Sequence, residues 1–156
     1  MSKPTENSPD FVDSRKLNWG DMDSGRMAYT GRFLDWVVEA VEHWFTDFFE
    51  MDWYDLNEDL GYGTPFRQAT LSFQDMLTPR DVLETEVRVT SVGDRSINFF
   101  IEAYGVSKAR GRRLCFTCQC TIVFVNFANG TGISIPPEFR AKLEAAGMTG
   151  RKPSAT

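Results

Sequence analysis

The chain has 156 residues, 42% hydrophobic and 25% charged, and its 13 Phe, 4 Trp and 4 Tyr make it rich in aromatic side chains. A chain of this kind is one globular domain, able to bury roughly 70% of the surface its unfolded form exposes, and is neither disordered nor fibrous. Seventeen basic against 22 acidic residues leave a net charge of −5, which repels polyanions and argues against a nucleic-acid or anionic-membrane partner while permitting a small anionic ligand bound locally.

Residues 1–12 and 147–156 are polar, small or basic, with proline in both, and are expected to be flexible around a single folded domain at 13–146. The first ten residues contain no apolar stretch that could serve as a signal-peptide core. Cys115, Cys118 and Cys120 fall within six residues and have no distant partners, which does not read as a disulfide framework. A reducing, cytoplasmic setting is expected. Residues 114–137 carry no charge, but Thr117, Gln119, Thr121, Asn126 and Asn129 interrupt them, so they read as buried strand rather than membrane span.

In chain order, a short strand is expected at about residues 15–19. A loop then leads to Thr30, a candidate N-cap, and to Phe33, Trp36, Val37, Ala40, Val41, Trp44, Phe45, Phe48 and Phe49. These apolar positions trace one stripe of a helix running to about Glu50, roughly 30 Å long. After Gly61, Tyr62, Gly63, Thr64 and Pro65 the period changes to two. Strands are expected at 66–74, 82–91, 96–106 and 113–127, the last two apolar on both faces, with a basic hairpin of Lys108, Arg110, Arg112 and Arg113 between them. A short helix with proline at its start closes the chain at 136–145. This order describes an α+β domain with the long helix against one face of an antiparallel meander. A sheet apolar on its second face needs another cover, and a second copy is the simplest one.

The loop before the helix carries Asp21 and Asp23, seven to nine residues ahead of a helix start whose free N–H groups attract negative charge. A carboxylate facing backbone donors suits acyl transfer: the donors hold the oxyanion while the carboxylate attacks the carbonyl or activates water. The plain reading of Asp and Gly in such a loop is that they are turn residues. His43 lies off the apolar stripe and reads as a surface or second-layer residue. Cys118 and Cys120 alternate onto one strand face with Cys115 on the other, so the three cannot converge on a metal and read as packing residues.

Several segments taken together resemble the hotdog-fold acyl-CoA thioesterases, in the branch typified by bacterial 4-hydroxybenzoyl-CoA thioesterase. They are Gly20, Asp21, Met22 and Asp23; Phe33 ten residues on; the helix to Trp44 and Phe45; Gly63, Thr64 and Pro65 with Leu71, Ser72 and Phe73; Asp94, Arg95 and Ser96; and Ile135 with Pro136. The likeness spans about residues 15–140 in order. It implies a five- to six-stranded antiparallel sheet wrapped around one long central helix, and a homo-oligomer, either a dimer or a tetramer made of two dimers. It implies hydrolysis of an acyl- or aroyl-CoA thioester with no metal or resident cofactor, coenzyme A being part of the substrate.

Carried over one residue at a time, Asp23 takes the place of the family's catalytic carboxylate and the Thr30 backbone N–H that of the carbonyl-polarising donor. Arg95 takes the place of a basic residue that contacts the coenzyme A nucleotide, its plain reading being a solvated turn residue. Gly31, Arg26 and Thr64 complete the expected substrate contacts, and Asp21 falls on an acidic position without a chemical role. The chain departs from the family where Arg26 replaces a frequent glycine, with Gly25 one step earlier, and where Asn129 and Thr131 replace two phosphate-gripping arginines. The basic hairpin is then either a substitute phosphate grip or a soluble tip. Trp36, Phe66 and Met27 are candidate liners of the acyl pocket. The alternative function is a hotdog protein that binds an acyl-CoA or acyl carrier without turning it over. A thioesterase acting on a carrier protein is disfavoured, since carriers are acidic like this chain.

Overall fold

Alternation in the second half of the chain becomes one antiparallel sheet. Strands β1 (Phe11–Lys16), β3 (Phe66–Phe73), β4 (Val82–Val92), β5 (Ser96–Ser107) and β6 (Gly111–Val123) lie in the order β1-β4-β5-β6-β3, while the two-residue strands β2 (Tyr62–Gly63) and β7 (Val125–Asn126) pair separately. The structure is a computed structural model and describes residues 8–152. The first strand lies at Phe11–Lys16 rather than 15–19, because Asp13, Ser14 and Arg15 take register opposite Thr85, Glu84 and Leu83 of β4.

Helix α1 (Arg32–Phe49) buries Phe33, Trp36, Val37, Ala40, Val41, Trp44, Phe45 and Phe49 against the sheet. These are the stripe positions read from the sequence except Phe48, which is partly buried and stacks on Trp44 with rings 5.4 Å apart. Each fully buried large side chain of this kind contributes about 1.5–3 kcal/mol. The helix ends where Glu50 turns left-handed at φ 56°. Helix α2 (Pro137–Ala145), with Pro at its start as expected, buries Phe139 and Leu143 and seats Phe139 against Phe45, Phe49 and Phe124.

Two-sided apolarity of β5 and β6 is not what the fold presents. Ile97, Phe99, Ile101 and Ala103 face α1 with Phe116, Cys118, Cys120 and Ile122, but the opposite face carries a lattice of paired charges. Arg88 pairs with Glu86 and Glu102 at 2.8 Å, Arg112 pairs with Glu84 and Glu86, and the Arg112 guanidinium lies 3.6 Å over the Tyr104 ring. The apolar run in the sequence is real, yet strict alternation sends its polar members outward. Cys115 is the extra residue of a bulge, since Tyr104 pairs with Leu114 and Ala103 with Phe116. It is therefore buried rather than displayed on the outer face.

Packing also extends past both expected boundaries of the domain. Asp10 accepts the Val89 N–H and a two-pronged contact from Arg151 at 2.7 and 3.0 Å, and Met148 is 4% exposed. Residues 1–7 and 153–156, also expected to be flexible, lie outside the described residues.

Candidate active site

Residues 17–31 link β1 to α1 as a chain of short turns, which is how so many polar residues find partners. Asn18 N–H donates to Asp21 Oδ2 at 3.0 Å, and the Asp21 carbonyl accepts the Tyr29 N–H at 2.9 Å. Asp21 is buried and lies 3.8 Å from Arg32 Nε, so this acidic position holds the loop together. Between these anchors Met22 and Ala28 form an antiparallel bridge, closed by Asp23 N–H to Met27 carbonyl at 2.9 Å. Asp23 stands at the tip, where its Oδ1 accepts the Gly25 N–H at 2.7 Å, leaving Oδ2 without a partner among the described residues. One oxygen is oriented and the other is open.

The tip turns because Arg26 adopts φ 61°, the left-handed conformation that glycine tolerates and other residues rarely do. Arg26 itself supplies the backbone shape, and the neighbouring Gly25 does not. Thr30 is not the helix cap. Gly31 holds that position, the first bonds run from Arg32 N–H to the Tyr29 carbonyl at 2.8 Å and from Phe33 N–H to the Thr30 carbonyl at 3.4 Å, and no side chain caps the helix. The N–H groups of Thr30 and Gly31 have no acceptor among the described residues. A Cβ on Gly31 would come within 2.7 Å of the Tyr29 ring, so a side chain there requires that ring to move.

Asp23 and Thr30 line one cavity of about 340 Å3, together with Met27, Ala28, Phe33 and Phe73 and with residues 74–77. Phe33 ties this wall to the core through edge contacts at 4.9 Å with both Phe73 and Phe116. Of the expected acyl-pocket liners Met27 is present. Trp36, only 2% exposed, borders a separate cavity beside Arg15 and Arg32, and Phe66 lies along the edge strand β3. Gln74 is expected to close the strand, which ends at Phe73, and residues 75–77 carry no signal in the sequence, an Asp-Met-Leu stretch having no period and no motif. What makes them part of the wall is the bond from Ala28 N–H to the Leu77 carbonyl at 2.9 Å.

Neither Arg95 nor Thr64 lines that cavity within one chain. Thr64 is buried beside the β2–β7 pair. Arg95 is exposed in the turn between β4 and β5, 3.6 Å from Asp94, with its guanidinium against Gly132, where a Cβ would come within 3.3 Å of Nη1. It thus lies over the 129–132 turn.

Arginines of the 108–113 hairpin are engaged elsewhere. Arg110 holds Asp75 at 2.9 Å, Arg112 holds Glu84 and Glu86, and Arg113 holds Asp75 and Asp81 at 3.1 Å. Arg110 and Arg112 remain 44% exposed and Arg113 only 12%, and none of the three lines the Asp23 cavity. His43 is exposed, with Nδ1 2.8 Å from Asp13 Oδ1, far from the Asp23 loop in its contacts. All three cysteines are free and buried. The hydrogen bond with Cys118 and deep burial push the Cys120 thiol well up, and burial raises Cys115, so neither is a poised nucleophile. Among the described residues no cluster of His, Cys, Asp and Glu could hold a metal ion.

An 18-residue helix laid along an antiparallel sheet, with a carboxylate on the loop before the helix and open N–H groups at the helix start, fits the hotdog fold with a site suited to acyl chemistry. The chain belongs to the thioesterase-like superfamily, whose family model matches residues 17–143. It is similar to a thioesterase-superfamily structure from Jannaschia sp. CCS1, at 28% identity over 99% of this chain and 100% of that one, with a TM-score of 0.76. It also shares its fold with 4-hydroxybenzoyl-CoA thioesterase from Pseudomonas sp. strain CBS-3, at 18% identity, 85% and 97% coverage, and a TM-score of 0.78. A third likeness is to a Staphylococcus aureus protein, SAV2348, in complex with CoA, at 12% identity, 94% and 87% coverage, and a TM-score of 0.77. No curated protein matches the chain in sequence.

Proposed function

We propose that the protein hydrolyses an acyl-CoA thioester, with Asp23 as the reacting carboxylate and the Thr30 N–H, backed by that of Gly31, holding the carbonyl oxygen. The observation that carries this reading is that one cavity is lined both by Asp23, with one carboxylate oxygen open, and by Thr30, whose backbone N–H has no acceptor among the described residues. Donors aimed where charge develops stabilise the tetrahedral intermediate. Asp23 either attacks the carbonyl carbon or takes a proton from the attacking water. If Asp23 attacks, breaking the C–S bond leaves an Asp23–acyl anhydride that water then hydrolyses to the acid. If Asp23 activates water, the tetrahedral adduct breaks its C–S bond and gives the acid directly. In both cases the departing thiolate takes up a proton and coenzyme A leaves as its thiol. No resident metal or cofactor takes part. The CoA-bound likeness and the family support a CoA thioester as ligand. A protein that merely bound acyl-CoA would have no use for a carboxylate at this place.

Arg26, at the loop tip, contributes to acyl recognition, and Arg95 meets the coenzyme A nucleotide. Thr64 reaches substrate only from a second subunit, because within one chain it lies apart from the Asp23 cavity. That fits a homo-oligomer with sites at the boundary between copies. The buried free thiols fit a reducing, cytoplasmic setting, and no helix among the described residues is long and apolar enough to cross a membrane.

The test is a hydrolysis screen of aryl, short-chain and long-chain acyl-CoAs read by free thiol, with Asp23→Asn as comparison. The amide keeps the shape but cannot attack or take a proton, so kcat falls about 10²–10⁴-fold while a non-hydrolysable acyl-CoA analogue binds as to wild type. A variant retaining more than about a tenth of wild-type kcat would remove Asp23 from the chemistry.

A further inference from the structure

Arg113 is buried for an arginine, with 12% of its side chain exposed, and each of its five N–H donors has an acceptor. Nε meets Asp75 Oδ2 at 3.1 Å. Nη1 and Nη2 grip Asp81 Oδ1 and Oδ2, each at 3.1 Å, in the two-pronged geometry that orients both partners. The remaining donors reach the carbonyls of Gly105 at 3.5 Å and Met76 at 3.1 Å. Asp81 is 1% exposed and also accepts from the Thr78 N–H and hydroxyl. The bulged Cys115 adds its carbonyl, which accepts from both Gln74 and Asp75 N–H. Segment 74–81 is thereby locked onto β6.

That segment holds the loop carrying Asp23 at both of its ends. The Asp81 carbonyl accepts the Leu17 N–H at 3.3 Å, and the Leu77 carbonyl accepts the Ala28 N–H at 2.9 Å. Both segments wall the same cavity, Asp23, Met27 and Ala28 on one side and residues 74–77 on the other. Gly105 leaves the room this requires: a Cβ there would meet Leu77 Cδ2 at 2.8 Å and Arg113 Nη2 at 3.0 Å.

We propose that Arg113 is a positioning residue for the reaction, setting through Asp81 and Leu77 the distance between the Asp23 loop and the opposite wall of the cavity. This rests on the hydrolytic reading of the site, but the grip itself is testable without it. Arg113 touches neither Asp23 nor the open donors, so its effect travels through two backbone hydrogen bonds. A displacement of about 1 Å at a reacting group costs up to about 10²-fold in rate.

The experiment compares Arg113→Lys with Arg112→Lys, which alters an arginine of the same hairpin on the opposite sheet face. Amide exchange at Leu17 and Ala28 is measured at a temperature where all proteins are fully folded, together with kcat and KM for the best acyl-CoA. A single ammonium cannot reproduce five donors. Arg113→Lys should speed exchange at Ala28 and Leu17 selectively and lower kcat about tenfold or more with little change in KM, while Arg112→Lys stays at wild type. Unchanged Ala28 exchange in folded Arg113→Lys, or equal effects in both variants, overturns the proposal. Should Arg113→Lys not fold, Asp81→Asn removes the same grip from its other side: faster Ala28 exchange with a lower kcat supports the proposal, and unchanged Ala28 exchange overturns it. A wild type that hydrolyses no acyl-CoA would sink the hydrolytic reading, and exchange at Ala28 would still decide whether Arg113 holds the loop.

Discussion

Arg26 places a side chain at a left-handed backbone position, φ 61°, of the kind glycine tolerates best. A non-glycine residue there carries strain of about 1–2 kcal/mol, and glycine relieves it at some cost in unfolded-state entropy. Arg26→Gly should therefore raise stability by about 0.5–1 kcal/mol, read by denaturant titration. If Arg26 contacts the acyl group, the same variant also alters the ranking of acyl-CoAs in the hydrolysis screen. A loss of stability on this substitution would mean that the side chain makes a contact worth more than the strain. Asp21 illustrates the opposite case. The resemblance gives it no chemical role, and Asp21 is buried, accepts the Asn18 N–H and lies near Arg32, so its work is to hold the loop.

Segment 74–81 is where a single element depends most on charge. Contact with the Met76 N–H and with Arg110 lowers the Asp75 carboxyl below its ordinary 3.8. For Asp81, burial acts upward, but the Arg113 and Thr78 hydrogen bonds outweigh it and hold the carboxyl below 3.8 as well. A carboxylate depressed in the folded state adds stability that is fully present above its unfolded value and is lost as pH falls through the lower native value. Stability should therefore be flat with respect to these groups well above pH 3.8 and fall below it. Asp81→Asn should be less stable at neutral pH and show a shallower acid dependence in denaturant titrations across that range. An identical acid slope in wild type and variant would show that the grip contributes nothing to acid sensitivity.

At the scale of the whole molecule, apolar surface gathers around the candidate site rather than on the outer sheet face. Met27, Phe73 and Met76 are 37%, 53% and 51% exposed and all border the Asp23 cavity, and β3 is an edge strand with most of its residues exposed. An open edge beside exposed aromatic and thioether side chains is a template for pairing and a liability if left uncovered. We expect at least a dimer in solution that covers this edge. Light scattering at micromolar concentration checks it, and a stable 17.8 kDa monomer would refute it. The motive for expecting a second copy thus moves from the two-sided apolarity of β5 and β6, which the charged outer lattice removes, to the rim of the site.

Periodicity alone determined the large elements, because burial of one face imposes a period of 3.6 on a helix and 2 on a strand. The stripe from Phe33 to Phe49 and the alternation in β4 are of this kind, and both lie close to where the sequence places them. The resemblance placed Asp23 and Thr30 near each other, since both lie on the short loop that enters α1. Local sequence could not determine which polar groups face one another across the fold. Arg110, Arg112 and Arg113 are near neighbours in sequence, yet the bulge at Cys115 and strand alternation send Arg112 to the outer face and Arg113 to a buried carboxylate contributed from 32 residues away. Residues 74–77 became part of the site for the same reason. Their role is set by a backbone bond to Ala28, which depends on where two distant segments meet and leaves no mark on the residues that make it.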